Sequence, residues 1–457
     1  MPFISHNPAT ETILERFDSL DKTALAALLS QTHAAQREWR HRPFAQRAAL
    51  LRALNHLLLA QQDRLAALIT EEMGKPTREA LSEIKRCAAV CLYYATEGEA
   101  FLTPQPTASD ELHHSYISYH PIGVVLGVMP WNFPFWQVFR FAVPALMAGN
   151  GVAIKHAPNV PRCAAAIAEV MSSAGFPPHL ITNLYIEDAL VADAIASPHV
   201  QAVTLTGSGR AGRAVAALSG GALKKCILEL GGSDPFVVLA DADLEWAADQ
   251  AITSRFSNCG QTCIAAKRFI LLPQITDDFI ALLQQKVAAL KVGNPADPGV
   301  TIGPMARQDL RDNLQRQVDL ALSAGAHCLM GGHMLPGPGW FYAPTLLDNI
   351  TESSPAWTEE LFGPVALIIR ARDEMDALRL ANDTPYGLGS SVWGRNAEHA
   401  EQFAEGIEAG CTFVNGMVRS DPRLPFGGTK ASGFGRELSS HGIREFTNIK
   451  TVWVKNG

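Results

Sequence analysis

The stretch VQAVTLTGSGRAG, residues 200–212, decides the fold class, because an apolar strand-like run passes directly into a glycine-rich turn and a helical pattern. Gly207, Gly209 and Gly212 fit the spacing G-x-G-x-x-G, in which small residues let a pyrophosphate approach a helix N-terminus. Glu229 follows where such a fingerprint, about twenty residues on, places an acid on a ribose hydroxyl. It also sits in LELGGSDP, beside a glycine pair at a junction-like position, where a catalytic carboxylate is equally at home. Both readings of Glu229 stay open here, as does a bland one in which the glycines only turn the chain.

The same alternation extends on both sides. VVLGV, VAIK, NLYI, CILEL and PFVVL read as strands, with helices around Ala164–Met171, Ala189–Ala196, Ala211–Leu218 and Leu244–Ile252 between them. Strand–helix alternation predicts an α/β protein with a mostly parallel, doubly wound sheet. After Gly232 the pattern restarts with KRFILL, VALIIRA and CTFVN, which predicts a second α/β domain. Near the start, Leu25, Leu28, Leu29, Thr32, Ala35 and Trp39 share a helical face, as do Leu50, Leu51, Leu54, Leu57 and Leu58. LTPQPTASDE reads as a loop and HHSYISYH as an exposed strand, for which the closing TNIKTVWVK is a suitable partner.

A chain of 457 residues exceeds what one core usually fills. Its 38 Lys and Arg against 45 Asp and Glu give a net charge of −7, which excludes the basic footprint of a nucleic-acid binder. MPFISHNPATETILERF lacks the basic and apolar regions of a signal peptide. The longest uncharged run is broken by Pro130, Asn132 and Pro134, so no membrane span is expected. Eight cysteines without a C-x-x-C pair point to a reduced, cytoplasmic setting. Cys87/Cys91 and Cys259/Cys263 share a four-residue spacing but no histidine pattern, so no metal site is expected.

Cys263 stands apart. It lies in FSNCGQTCIAAKRF, where Asn258, Gly260, Gln261 and Thr262 are poor material for an apolar core. A nucleophilic thiolate needs a lowered pKa or a nearby base, together with donors for a developing oxyanion. Asn132 in PWNFP can supply amide N–H groups without changing protonation.

Taken in order, NPAT, PWNFP, the strand ending in Lys155, TGSGRAG, LELGG, GQTC, EELFGPV, PFGGTKASGFGRE and the closing KTV resemble the aldehyde dehydrogenase superfamily over nearly the whole chain. The resemblance implies a Rossmann-like cofactor domain from 1–105 and 122–230, a catalytic domain from 231–435, and a bridging arm from 106–121 and 436–457. It makes Cys263 the nucleophile, Glu229 the general base rather than the ribose acid, and Asn132 the oxyanion donor. Gly207 and Ser208 would meet the pyrophosphate, and Lys155 the adenosine ribose with Trp131 alongside. Glu360 and Phe362 would hold the nicotinamide end, and Glu437 would stand in a proton path. The product would be a carboxylic acid formed through a thiohemiacetal and a thioester, in a homodimer or homotetramer.

Within the family the chain is most similar to bacterial succinate-semialdehyde dehydrogenases, in which Arg140 and Ser420 would bind the substrate carboxylate. If PFWQVFR begins a helix, Arg140, two turns beyond Asn132, would project from the same face toward the aldehyde; the bland reading pairs it with an internal acid. A second arginine common in this group is Ser257 here, leaving Arg419 and Arg423 either as compensation or as solvated charges. The family's usual lysine after LELGG is Ser233. Pro158 stands where a glutamate would repel a 2′-phosphate, so both NAD and NADP are expected, with NAD leading because no further arginine is evident beside Lys155. Cys259 is a candidate redox partner for Cys263. Another small aldehyde, or a silent protein on the same fold, is the alternative.

Overall fold

The structure is a computed structural model that describes residues 3–110 and 112–455. Two parallel-dominated sheets form its halves. The first runs, in spatial order, Gly433–Phe434, Lys225–Glu229, Val200–Thr206, Val124–Val128, Gly151–Lys155, Ile181–Asn183. All its pairings are parallel except the two-residue edge at Gly433–Phe434. Successive strands move one way from Val124–Val128 and then restart on its other side. The adjacent ends of Val124–Val128 and Val200–Thr206 are therefore a topological switch point, where α/β sheets open a crevice for ligands.

The second sheet orders its seven strands His327–Met330, Thr345–Asp348, Val365–Arg370, Ala266–Leu271, Asp234–Val238, Gly389–Trp393, Cys411–Val414. Only the His327–Met330 edge is antiparallel. Strands such as Asp234–Val238 and Ala266–Leu271 are buried along their full length, as strands of a sheet covered on both faces are, and this includes the charged Asp234, Lys267 and Arg268.

The Trp136–Met147 helix joins the first sheet to the cavities, and all twelve of its residues are buried. The N–H groups at its N-terminus, which lack partners within the helix, are met by one carboxylate: Phe135 N and Trp136 N donate to Glu83 Oε1 at 2.9 and 3.0 Å. A negative charge there also suits the helix dipole. Glu83 belongs to the long Thr77–Leu102 helix and forms a buried ion pair with Lys75.

TNIKTVWVK pairs antiparallel with His113–Pro121 from Thr447↔Pro121 to Lys455↔His113, as the alternation suggested. The expected loop before it instead contributes a third strand, Gln105–Ser109, and its last residue lies outside the described ones. The arm boundary also differs. Residues Ser439–Glu445 form a helix whose Ile443 joins the first core, and Tyr94 donates its hydroxyl to Ser439 O, so only Thr447 onward lies in the arm sheet. Gly433–Phe434, expected in the second domain, edges the first sheet. The NLYI strand is shifted to Ile181–Asn183, and an opening hairpin, Phe3–His6 with Ile13–Phe17, precedes the helices. Among the described residues no helix is long and apolar enough to cross a membrane.

Gly127 tests how tightly the first sheet is covered. A Cβ there would come within 2.3 Å of the Phe141 ring, and Phe141 is itself fully enclosed. Gly127→Ala is expected to lower unfolding stability by about 1–3 kcal/mol through overpacking. A denaturant midpoint equal to the parent's would contradict that packing.

Candidate active site

The Leu244–Phe256 helix ends at Ser257, and the chain then turns through Asn258, Cys259 and Gly260 with φ of +56°, +55° and +68°. Gly260 is obligatory, since a Cβ would lie 2.3 Å from Gly363 O. The turn is tied down by amides. Asn258 Nδ2 donates to Asn132 O at 2.9 Å and to Gln261 O at 3.1 Å, while Asn258 N donates to Glu79 Oε2 at 2.7 Å. Asn132 Nδ2 in turn donates to Gln261 O at 3.0 Å. An amide nitrogen carries two hydrogens, so Asn132 keeps a second N–H for another acceptor.

This arrangement sets Cys263 in the wall shared by two cavities. One, of about 210 Å³, is lined by Trp131, Asn132, Thr206, Gly207, Ser208, Leu230, Glu360 and Phe362 and lies over the switch point. The other, of about 240 Å³, is lined by Glu79, Arg86, Trp136, Arg140, Ser257, Arg419, Ser420 and Phe426. Burial pushes the Cys263 thiol up to about 11, against the pull of Arg140 and Lys267. Lys267 carries no sequence signal beyond its charge, yet its Nζ donates to Cys263 O at 2.7 Å and pairs with Glu360 at 3.1 Å. Glu360 Oε1 also accepts from Gly232 N at 3.1 Å, and Phe362 meets Trp131 edge-on at 5.8 Å.

Ser208 caps the Gly209–Gly221 helix, accepting from Ala211 N at 3.3 Å. Lys155 opens a separate cavity of about 530 Å³, where its Nζ lies 2.6 Å from Asp188 and Pro158, Glu187 and Arg307 complete the wall. Trp131 lines the Cys263 cavity and not this one. The two cavities lie along the carboxyl ends of the first sheet's strands, and the helix N-terminus at Ser208 belongs to that same edge. This layout fits an extended dinucleotide with cations at one end and the thiol at the other.

Three expectations change. Arg140 is only 1% exposed and its Nε forms an ion pair with Glu437, while Nη2 lies 3.4 Å from Thr206 Oγ1. It therefore takes the internal-acid partner of the bland reading while still lining a cavity. Glu229 lies on neither cavity wall. Both its carboxylate oxygens are buried without a hydrogen-bond partner among the described residues, and burial plus the Glu437 charge hold its pKa well above the carboxylate range. Cys259 packs its sulfur 3.9 Å from Met305 Sδ, and all eight cysteines are free. Ser420 Oγ accepts from Trp136 Nε1 at 3.1 Å, which leaves its own hydrogen to donate. Arg423 pairs with Asp421 at 2.6 Å, so it is the solvated charge of the two open readings.

Residues 2–452 match the model of the aldehyde dehydrogenase family. A probable succinate-semialdehyde dehydrogenase [NADP(+)] from Synechocystis is 47% identical, over 99% of this chain and 100% of its own. Succinate-semialdehyde dehydrogenase [NADP(+)] 1 from Mycobacterium bovis is 46% identical over the same shares. The crystal structure of succinic semialdehyde dehydrogenase from Streptococcus pyogenes in complex with NADP+ superposes with a TM-score of 0.97 at 37% identity, covering 99% of this chain and 100% of that one. These names specify NADP and give no support to the expectation that NAD leads. That expectation rested on seeing no further arginine, and Arg307, distant in sequence, lines the Lys155 cavity.

A thiol raised to about 11 is mostly protonated at neutral pH, so its alkylation tracks the thiolate fraction. Iodoacetamide should label Cys263 about tenfold faster per pH unit between roughly pH 7 and 9. Mass spectrometry should find Cys259 unlabelled in the folded protein. A pH-independent rate would contradict the raised thiol.

Proposed function

This chain belongs to the aldehyde dehydrogenase family, and on that premise we propose that it oxidises succinate semialdehyde to succinate with NADP. The observation that carries the reading is the position of Cys263 between two cavities, one over a dinucleotide-type switch point and the other lined by arginines and Ser420.

Cys263, as thiolate, adds to the aldehyde carbon, and the second N–H of Asn132 with the backbone N–H of Cys263 stabilises the alkoxide. A bound dinucleotide would supply the hydride acceptor for that carbon, and a thioester would then remain on Cys263. Glu229 then takes a proton from a water molecule; the water oxygen adds to the thioester carbon and displaces the Cys263 sulfur, releasing the acid. From its buried place beside Glu437, Glu229 must swing toward Cys263 to do this. Its raised pKa means that it gains basic form as pH rises, so hydrolysis should quicken above neutrality.

Gly207 and Ser208 would receive the pyrophosphate, Glu360 and Phe362 would hold the nicotinamide end, and Lys155, beside Arg307 and its partner Asp309, would face the adenosine ribose and its 2′-phosphate. Arg140, holding Glu437 through Nε, keeps Nη1 for the substrate carboxylate, and Ser420 adds a hydroxyl donor. The single-layer arm, with Ile449 and Trp453 both 59% exposed, joins a second copy of the chain.

A panel of aldehydes graded in length and charge, each assayed with NAD and NADP, tests the reading. Succinate semialdehyde with NADP should show the highest kcat/KM, and an uncharged aldehyde leading the panel would overturn it. Glu229→Gln should release about one equivalent of reduced cofactor per site and then stall. Continued full turnover would remove Glu229 from the hydrolytic step.

A further inference from the structure

We propose that Arg86 is the second cation that fixes the substrate carboxylate, a specificity-determining residue for the charged end of a semialdehyde; this rests on the substrate reading above. Arg86 comes from the Thr77–Leu102 helix, which presents Glu79, Ser82, Glu83 and Arg86 to the arginine-lined cavity at i, i+3, i+4 and i+7 spacing.

The buried charges there are engaged. Glu83 pairs with Lys75 and caps the Trp136–Met147 helix, and Glu79 accepts from Asn258 N. Arg140 holds Glu437 and Thr206. Arg419 is exposed at the cavity rim. Arg86 is half-buried, and among the described residues no acceptor lies within hydrogen-bond or ion-pair distance of its guanidinium, although the Glu83 charge acts on it from further off. Its close partner is the Trp136 ring, 5.5 Å away, and that same indole donates to Ser420 Oγ at 3.1 Å. Arg86 and Ser420 are thus organised around one side chain, and both face the cavity.

A half-buried guanidinium with no acceptor in direct contact favours an anion, and its paired N–H groups match a carboxylate. Ser257 occupies the same wall. Its hydroxyl donates to Thr253 O at 2.7 Å, and its small size leaves free the space a longer side chain would take. The cation missing at Ser257 is therefore supplied from a different helix, by Arg86.

The test uses the enzyme with NADP and compares succinate semialdehyde with butanal for the parent, Arg86→Gln and Arg86→Lys. Arg86→Gln should raise KM for succinate semialdehyde by about ten- to a hundredfold with little change in kcat, and the kcat/KM ratio over butanal should fall equally. Arg86→Lys should recover part of that ratio. An unchanged ratio, or both substrates falling together, overturns the role of Arg86; thermal melting identifies a variant that fails to fold, in which case the Lys variant decides. A parent enzyme that does not prefer succinate semialdehyde to butanal refutes the substrate reading itself, whatever the variants do.

Discussion

The left-handed backbone at Asn258, Cys259 and Gly260 is the constraint on which the site depends. Two of the three carry side chains, and holding such residues at positive φ costs on the order of 1 kcal/mol or more each. The interlocked amides of Asn258, Asn132 and Gln261 offset that cost and do so across the two halves of the molecule. Asn132 follows a strand of the first sheet, whereas Asn258 and Gln261 precede one of the second. The strained turn is thereby also a clasp between the sheets, and it fixes where the thiol emerges.

Charge inside this clasp is arranged by sharing. Arg140 faces both Glu437 and, at longer range, Glu229, which Arg436 also reaches, so two buried carboxylates share the Arg140 guanidinium. Removing a partner from such a buried group leaves an uncompensated charge, which is more costly than losing a surface pair. Burial raises the pKa of Glu229 and the Glu437 charge adds to it, against the pull of Arg140 and Arg436. Glu83 plays a comparable double part, accepting from the backbone of one helix while compensating Lys75.

Much of this was legible in the sequence because it is local. The glycine turn, the strand–helix alternation and the FSNCGQTCIAAKRF loop each carry their own signal within a dozen or so residues, and the pairing of TNIKTVWVK with HHSYISYH follows from matching alternation. What could not be read was long-range. Nothing near Arg140 in the sequence announces Glu437, nothing near Lys155 announces Arg307, and Arg86 lies on an amphipathic helix whose pattern does not reveal which face meets a cavity. The Ser439–Glu445 helix was hidden for a related reason: Leu438 and Ile443 are too few to show a period, and only their burial in the first core places them.

Because Cys263 stands in the wall between two cavities, the two proposed ligands would approach the sulfur from different sides. On the proposed chemistry, exchange of one need not wait for the other to vacate a common passage. Departure of the spent dinucleotide and departure of the acid become separate kinetic events, each with its own barrier. The slower of the two, and not bond-making at sulfur, is then free to set the pace of turnover.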